Sequence, residues 1–180
     1  MSFTPASRSP VCPVLLSTAS LFSLGSRLRV TASSVSGQFW PAANRAIYVP
    51  FELSHPVTVL KGYMVNAGST AGNYDFGIYN RSTLARIVSS GTTAQSGSNV
   101  VQEFDITDTY LAAGPYYMAL STNSASGGVF MWSIGDLQLA KSVGAAQEAS
   151  AFTLPSTATP AAVASQLVPE IGLSLRTLVA

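Results

Sequence analysis

Charge is the scarcest thing in this sequence. Only 9% of its 180 residues are Asp, Glu, Lys or Arg, while 47% are hydrophobic. An ordinary soluble domain is about 25% charged. The exterior must therefore be built from Ser, Thr, Asn, Gln and Gly, without the charge that normally keeps proteins apart. A chain of this kind is at ease when partners cover much of its surface, so obligate assembly is expected. The net charge is +1, from nine basic and eight acidic residues. That excludes an electrostatic nucleic-acid binder, which needs a basic stripe. Arg8, Arg27 and Arg29 read as separate solvated arginines.

Thiol and imidazole are almost missing. Cys12 is the only cysteine and His55 the only histidine. No internal disulfide can form, so the fold must stand on packing or oligomerisation. His55 precedes Pro56 in a turn and has no nucleophile arranged around it. There is no Gly-x-Ser-x-Gly, no His/Cys metal cluster and no glycine loop opening a helix. No enzyme activity, cofactor or metal is expected, and no residue is assigned a catalytic role. Long apolar runs are missing too. Nothing approaches the roughly 20 residues that span a bilayer as a helix. The run Val11 to Leu16 is short and broken by Pro13, and the first seven residues carry no side-chain charge, unlike a signal peptide. The expectation is synthesis in a cytosol, without cleavage or membrane insertion.

What the sequence does have is alternation. Ile47, Val49, Phe51 and Leu53 share one face of an extended segment, as do Tyr74, Phe76 and Ile78, and Phe130, Trp132 and Ile134. A period of two marks a strand with one face buried. Strands are expected at 47–53, 57–65, 74–79, 84–89, 100–106, 116–121, 129–134 and 171–178, with Gly/Ser/Asn turns between most of them. Residues 107–115 read as a connection. Residues 136–151 form the only candidate helix, a poor one interrupted by Gly144, and 152–169 should be mostly irregular. Regularly spaced short strands with short loops predict an all-β fold, an antiparallel jelly-roll-like β-sandwich. Its expected core is Val49, Phe51, Val59, Tyr63, Phe76, Ile78, Phe104, Ile106, Leu120, Phe130 and Trp132.

The chain divides into an extended N-terminal arm, 1–44, rich in Ser, Pro and Ala, and a β-sandwich domain, 45–180. The arm carries two apolar pieces, Val14, Leu15 and Leu16, then Leu21, Phe22 and Leu24. They are expected to dock on the chain's own body or on a neighbouring subunit. Among the acids, Glu103 and Asp105 share a strand face, where a glycosidase pair would need a cleft. They read instead as solvated. Asp105 and Asp108 match no calcium-loop spacing. Tyr79 lies on the face of its strand opposite Tyr74, Phe76 and Ile78 and is expected to point outward. Tyr116 and Tyr117 point to opposite faces, so one of them should be exposed or at an interface. Tyr79 and Tyr117 are thus the candidate ligand-facing aromatics. The loops 66–73, 91–99 and 123–128 offer hydrogen-bonding groups without charge.

The residues Ile47-Tyr48-Val49-Pro50-Phe51-Glu52-Leu53, Asn66-Ala67-Gly68-Ser69, Gly72-Asn73-Tyr74-Asp75-Phe76-Gly77-Ile78-Tyr79 and Leu111-Ala112-Ala113-Gly114-Pro115-Tyr116-Tyr117-Met118-Ala119-Leu120 carry a family likeness. Leu154-Pro155 and Val168-Pro169-Glu170-Ile171-Gly172-Leu173 look like its closing strand. Over about residues 45 to 178 the chain resembles β-sandwich modules in virion proteins of tailed bacteriophages, found in tail fibres, head fibres and capsid-decorating proteins. The resemblance implies a non-enzymatic structural or adhesive module in the virion, often a homotrimer. Its implied partners are its own copies, other capsid or tail proteins, and in some members a host-surface glycan. It brings no catalytic residues, and it implies that an arm such as 1–44 attaches the module to the particle.

Overall fold

The computed structural model describes residues 14–17, 32–134, 137–142 and 144–177. These residues form an all-β sandwich of antiparallel strands, as the alternation predicts. The strands are β1 (Val14–Ser17), β2 (Ala32–Phe39), β3 (Arg45–Leu53), β4 (Val57–Val65), β5 (Asn73–Asn80), β6 (Arg86–Ser89) and β7 (Thr93–Ala94). They continue with β8 (Val101–Leu111), β9 (Gly114–Thr122), β10 (Gly128–Ile134), β11 (Ala146–Glu148), β12 (Ala161–Ala162), β13 (Leu167–Pro169) and β14 (Ile171–Thr177). Among the described residues of the candidate helical stretch, a six-residue helix, α1 (Leu137–Ser142), forms and is followed by β11. Residues 107–111 extend β8, and the turn to β9 narrows to Ala112 and Ala113.

One layer is the sheet β12-β11-β3-β9-β5-β6, with β7 also paired to β5. The other is the sheet β1-β14-β4-β8, with the smaller sheet β13-β10-β2 beside it. A bridge between Asn66 and Val129 joins these two smaller sheets. Within the first 44 residues, β1 adds to β14 and β2 adds to β10, and residues 40–44 form the turn into β3.

Alternate residues of β3 (Ile47, Val49, Phe51, Leu53), β5 (Tyr74, Phe76, Ile78) and β9 (Tyr116, Met118, Leu120) face the layer between the sheets. Val57, Val59, Met64, Phe104, Ile106, Leu173 and Leu175 meet them from the other side. Phe76 stacks on Phe104 with centroids 5.7 Å apart. The Phe76 ring lies so close to Gly62 that a Cβ there would sit 2.3 Å from it, so only glycine fits. Fully burying a side chain of this size contributes about 1.5–3 kcal/mol, and this shared layer holds the two sheets together.

Two expected core residues are corrected: Tyr63 and Phe130 are only half-buried. Trp132 is half-buried too, but it packs against the core cluster. In β4, Leu60 is an extra residue relative to β14, where Ser174 pairs with Lys61 and Leu175 with Val59. An extra residue reverses which face every later side chain takes. Gly62 and Met64 therefore turn inward and Tyr63 outward. In β10 the run Val-Phe-Met-Trp is apolar at both parities, so alternation cannot choose a face. Val129 and Met131 are the buried pair. Trp132 takes the other face, where its indole Nε1 donates to the Glu170 carboxylate.

The opposite face of the β3-β9-β5 layer is not bare. Residues 149–160 cross it as a strap, and Ala46, Tyr48, Tyr79, Ala119, Ala151, Leu154 and Ala158 form a second buried cluster there. Asp75, wholly buried, anchors the strap: its carboxylate accepts from the Leu154 amide (2.9 Å) and the Ser89 hydroxyl (2.6 Å). Glu148 accepts from the Tyr48 hydroxyl (2.7 Å) and from the Thr159 amide and hydroxyl (2.9 and 2.8 Å). Ser121 donates to the Ala151 carbonyl at 2.7 Å. Most buried polar groups in folded proteins are partnered in this way.

Candidate functional site

The strap corrects the expectation for Tyr79. Its side chain does leave β5 on the face opposite Phe76, but that face is covered and Tyr79 is fully buried. Its hydroxyl donates to the Pro155 carbonyl at 2.7 Å, and its ring meets Tyr48 edge-on at 5.3 Å. Burial raises the hydroxyl pKa of both tyrosines, and the hydrogen bond to Glu148 raises that of Tyr48 further. Tyr117 is half-buried on the same face, beside Tyr48 at 5.9 Å, with the Arg81 guanidinium 5.4 Å over its ring. Tyr116, its neighbour, stacks on Phe51 in the core. Tyr79 therefore offers no stacking face to a ligand, while Tyr117 keeps part of its surface exposed.

Of the arm residues, Val14, Leu15 and Leu16 lie in β1, opposite Leu175, Ser174 and Leu173 in register. Leu21, Phe22 and Leu24 fall outside the described residues.

The acidic candidates do not converge. Glu103 accepts from Lys61 at 2.6 Å on the outer face of β8, and both side chains are about half exposed. That contact raises the Lys61 pKa. Asp105 and Asp108 are both exposed, one on each side of the parity change in β8. Among the described residues no three His, Cys, Asp or Glu side chains come together as a metal would require. No described helix is long and apolar enough to cross a membrane.

What the fold does gather is the loops. The turns 66–73, 90–100 and 123–128 meet at one end of the sandwich, and none of them contains a charged residue. Their backbones are interlinked. The Ala67 amide donates to the Gly128 carbonyl, the Gly128 amide to Ser69, the Asn99 amide to Ala67 and the Gln95 amide to Gly72.

A buried amide network lies beneath. Gln95 Nε2 donates to Asn66 Oδ1 (2.9 Å) and to the Gly128 carbonyl (2.8 Å). Gln95 Oε1 accepts from the Ala71 amide at 2.8 Å. Asn66 Nδ2 donates to the Ser96 carbonyl (2.7 Å) and to Gln102 Oε1 (2.9 Å). Each of these amide groups is satisfied on its donor and acceptor sides, which fixes the loops in one arrangement.

Gly127 closes the network from above. A Cβ there would meet Gln95 Oε1 at 2.4 Å, the Ala71 carbonyl at 2.6 Å and the Tyr74 hydroxyl at 2.9 Å. That Tyr74 hydroxyl is buried without a hydrogen-bond partner among the described residues. Burial pushes its pKa up to about 12, an effect that Thr122 opposes.

Three exposed apolar side chains stand at the same end. Val100 closes the second loop, and Val101 follows it at the start of β8. Phe39, 63% exposed, pairs in register with Gly128. Sequence reasoning missed Phe39 because it falls in the Ser-rich stretch read as an arm, and the alternation around it is weak. No protein-family model matches the chain, and no curated protein or solved structure matches it either.

Proposed function

We propose that the chain is a non-enzymatic structural component of a bacteriophage virion, acting through subunit–subunit contacts on a capsid or in a head or tail fibre. It would be made in the host cytoplasm and work in the particle, with homotrimers as the first form of self-association. The observation that carries this reading is the loop end. It is a charge-free, rigidly pinned surface on which Phe39, Val100 and Val101 stay exposed. Apolar side chains left out in a cluster mark interaction sites, and a surface without charge sets up no repulsion against its own copies. Mass spectrometry of purified particles tests the reading, together with the mass of the isolated protein in solution. Presence in particles and a trimeric mass are expected. A protein absent from particles that stays monomeric at high concentration refutes the proposal.

A second reading has its own support. The same pinned loops offer hydroxyl and amide groups in a fixed arrangement, which lowers the ordering cost of binding a neutral polar ligand. On this reading the module is a host-surface or carbohydrate-binding adhesin of a phage fibre. Binding to a broad glycan panel or to host cells, lost on Phe39→Ala, favours it. Silence across the panel returns the loops to a purely structural role.

A further inference from the structure

We infer that the flank of β14 that holds β1 is a strand-acceptor site that takes Val14–Ser17 from a second copy of this chain, so that neighbouring subunits are joined by exchange of β1. The inference rests on the assembly reading above and gives it a mechanism.

Three observations lead here. First, β1 is held by one neighbour. It pairs with β14 over Val14↔Leu175 to Ser17↔Gly172, and no other described strand lies on its other side. Among the described strands its substantial packing is with β14 alone. Four residues added to an edge bury little and are easily displaced.

Second, β1 is not locally tied to the next described strand. β2 lies at the edge of the other small sheet, beyond β10. Residues 18–31 make the connection, and at about 3.3–3.6 Å per extended residue they can reach some tens of ångströms. A connection of that reach allows β1 to pair with a neighbour's β14 when two copies stand side by side.

Third, the occupant is already identified. The β14 flank accepts this strand in this register within one subunit, so a copy's strand makes the same hydrogen bonds there. Exchange of an identical element costs little beyond linker entropy. Which subunit supplies the strand is then set by effective concentration, and that rises steeply when copies are packed side by side.

The test uses the register pair Leu15↔Ser174, with the native Cys12 replaced by serine. One copy carries Leu15→Cys, and a second, with a different tag, carries Ser174→Cys. The two are mixed at high concentration, oxidised and run on a denaturing gel without reductant. Only exchange brings the two thiols together, at the Cα spacing of about 4.5–5.5 Å typical of paired residues and suited to a disulfide. A chain carrying both substitutions is the control, because it must close within itself at low concentration and so proves the pair competent. A linked heterodimer in the mixture supports the inference. A competent control with no heterodimer overturns it. If the protein is nevertheless found in particles, only strand exchange falls and the structural role stands. Adding Leu16→Pro to the Leu15→Cys copy, which removes a backbone donor from β1 and keeps the thiol, should abolish the heterodimer while leaving the unfolding midpoint of the body within a few degrees. Persistence of the heterodimer in that variant also refutes the inference.

Discussion

Replacing Asp75 with alanine should release the strap, and the size of the effect follows from its contacts. The carboxylate is wholly buried and accepts from the Leu154 amide on one oxygen and the Ser89 hydroxyl on the other. Alanine leaves the amide with no acceptor, and an orphaned buried donor costs about 1–3 kcal/mol. The Ser89 hydroxyl can turn elsewhere, so it adds about 1 kcal/mol or less. The total is about 1–4 kcal/mol, or a drop of roughly 2–15 °C in unfolding midpoint for a chain of this size. Asp75→Asn should behave differently. Its oxygen can keep the Leu154 amide, and its NH2 can donate to Ser89 Oγ once that hydroxyl rotates, so the cost should stay below about 1 kcal/mol. Urea unfolding of both variants, with hydrogen exchange at the Leu154 amide, reads this directly. If alanine costs no more than asparagine, or if Leu154 exchange stays slow in the alanine variant, the carboxylate does not hold the strap.

Gly127→Ala should destabilise the loop end by about 1–3 kcal/mol, the usual cost of overpacking, because one of its three close contacts is a main-chain carbonyl. Faster amide exchange at Ala71 and Gln95 is the local signature, and unchanged exchange there would count against the network. Tyr74→Phe should be neutral or slightly stabilising at pH 7, since it removes a buried hydroxyl without a partner. The same hydroxyl makes the wild type sensitive to alkali. Its pKa of about 12 in the fold exceeds the ordinary 10, so the native state holds its proton longer than the unfolded chain does. That contribution is complete below pH 10 and is lost as pH rises toward 12, falling by about 1.4 kcal/mol per pH unit. A pH series of unfolding midpoints should show a shallower alkaline decline in Tyr74→Phe, and identical slopes would refute the assignment. Phe76→Ala should cost roughly 3–5 kcal/mol, because it removes the ring that stacks on Phe104 and fills the space above Gly62. A midpoint within a degree or two of wild type would take Phe76 out of the core.

The inner faces of β3 and β5 were legible because apolar and polar or small residues alternate there without interruption. The faces of β4 and β10 were not. One extra residue at Leu60 reverses the second half of β4, and no local pattern announces it. In β10 every residue from Val129 to Trp132 is apolar, so the period is silent. Tyr79 shows a third limit. Its direction along the strand was readable, but its cover comes from Leu154 and Pro155, far along the chain, in a segment whose composition suggests an irregular loop. The three loops were recognisable as charge-free turns. Their meeting at one end depends on which strands pair, and the partners of Asn66, Gln95 and Gln102 are contacts between loops that spacing does not encode.

The position of β14 also bears on how the molecule is made. It lies inside its sheet, with β1 on one flank and β4 on the other, although it is the last described strand in the chain. Until residues 171–177 leave the ribosome, β4 has a vacant flank and Val59 and Met64 lack their cover. The growing polypeptide therefore carries an open sheet from the time β4 is made, and the sheet can close only after translation has passed β14. Long-range pairing of this sort is slow and prone to misassociation, so yield in a heterologous host should respond to lower temperature and to chaperone supply more than to codon choice.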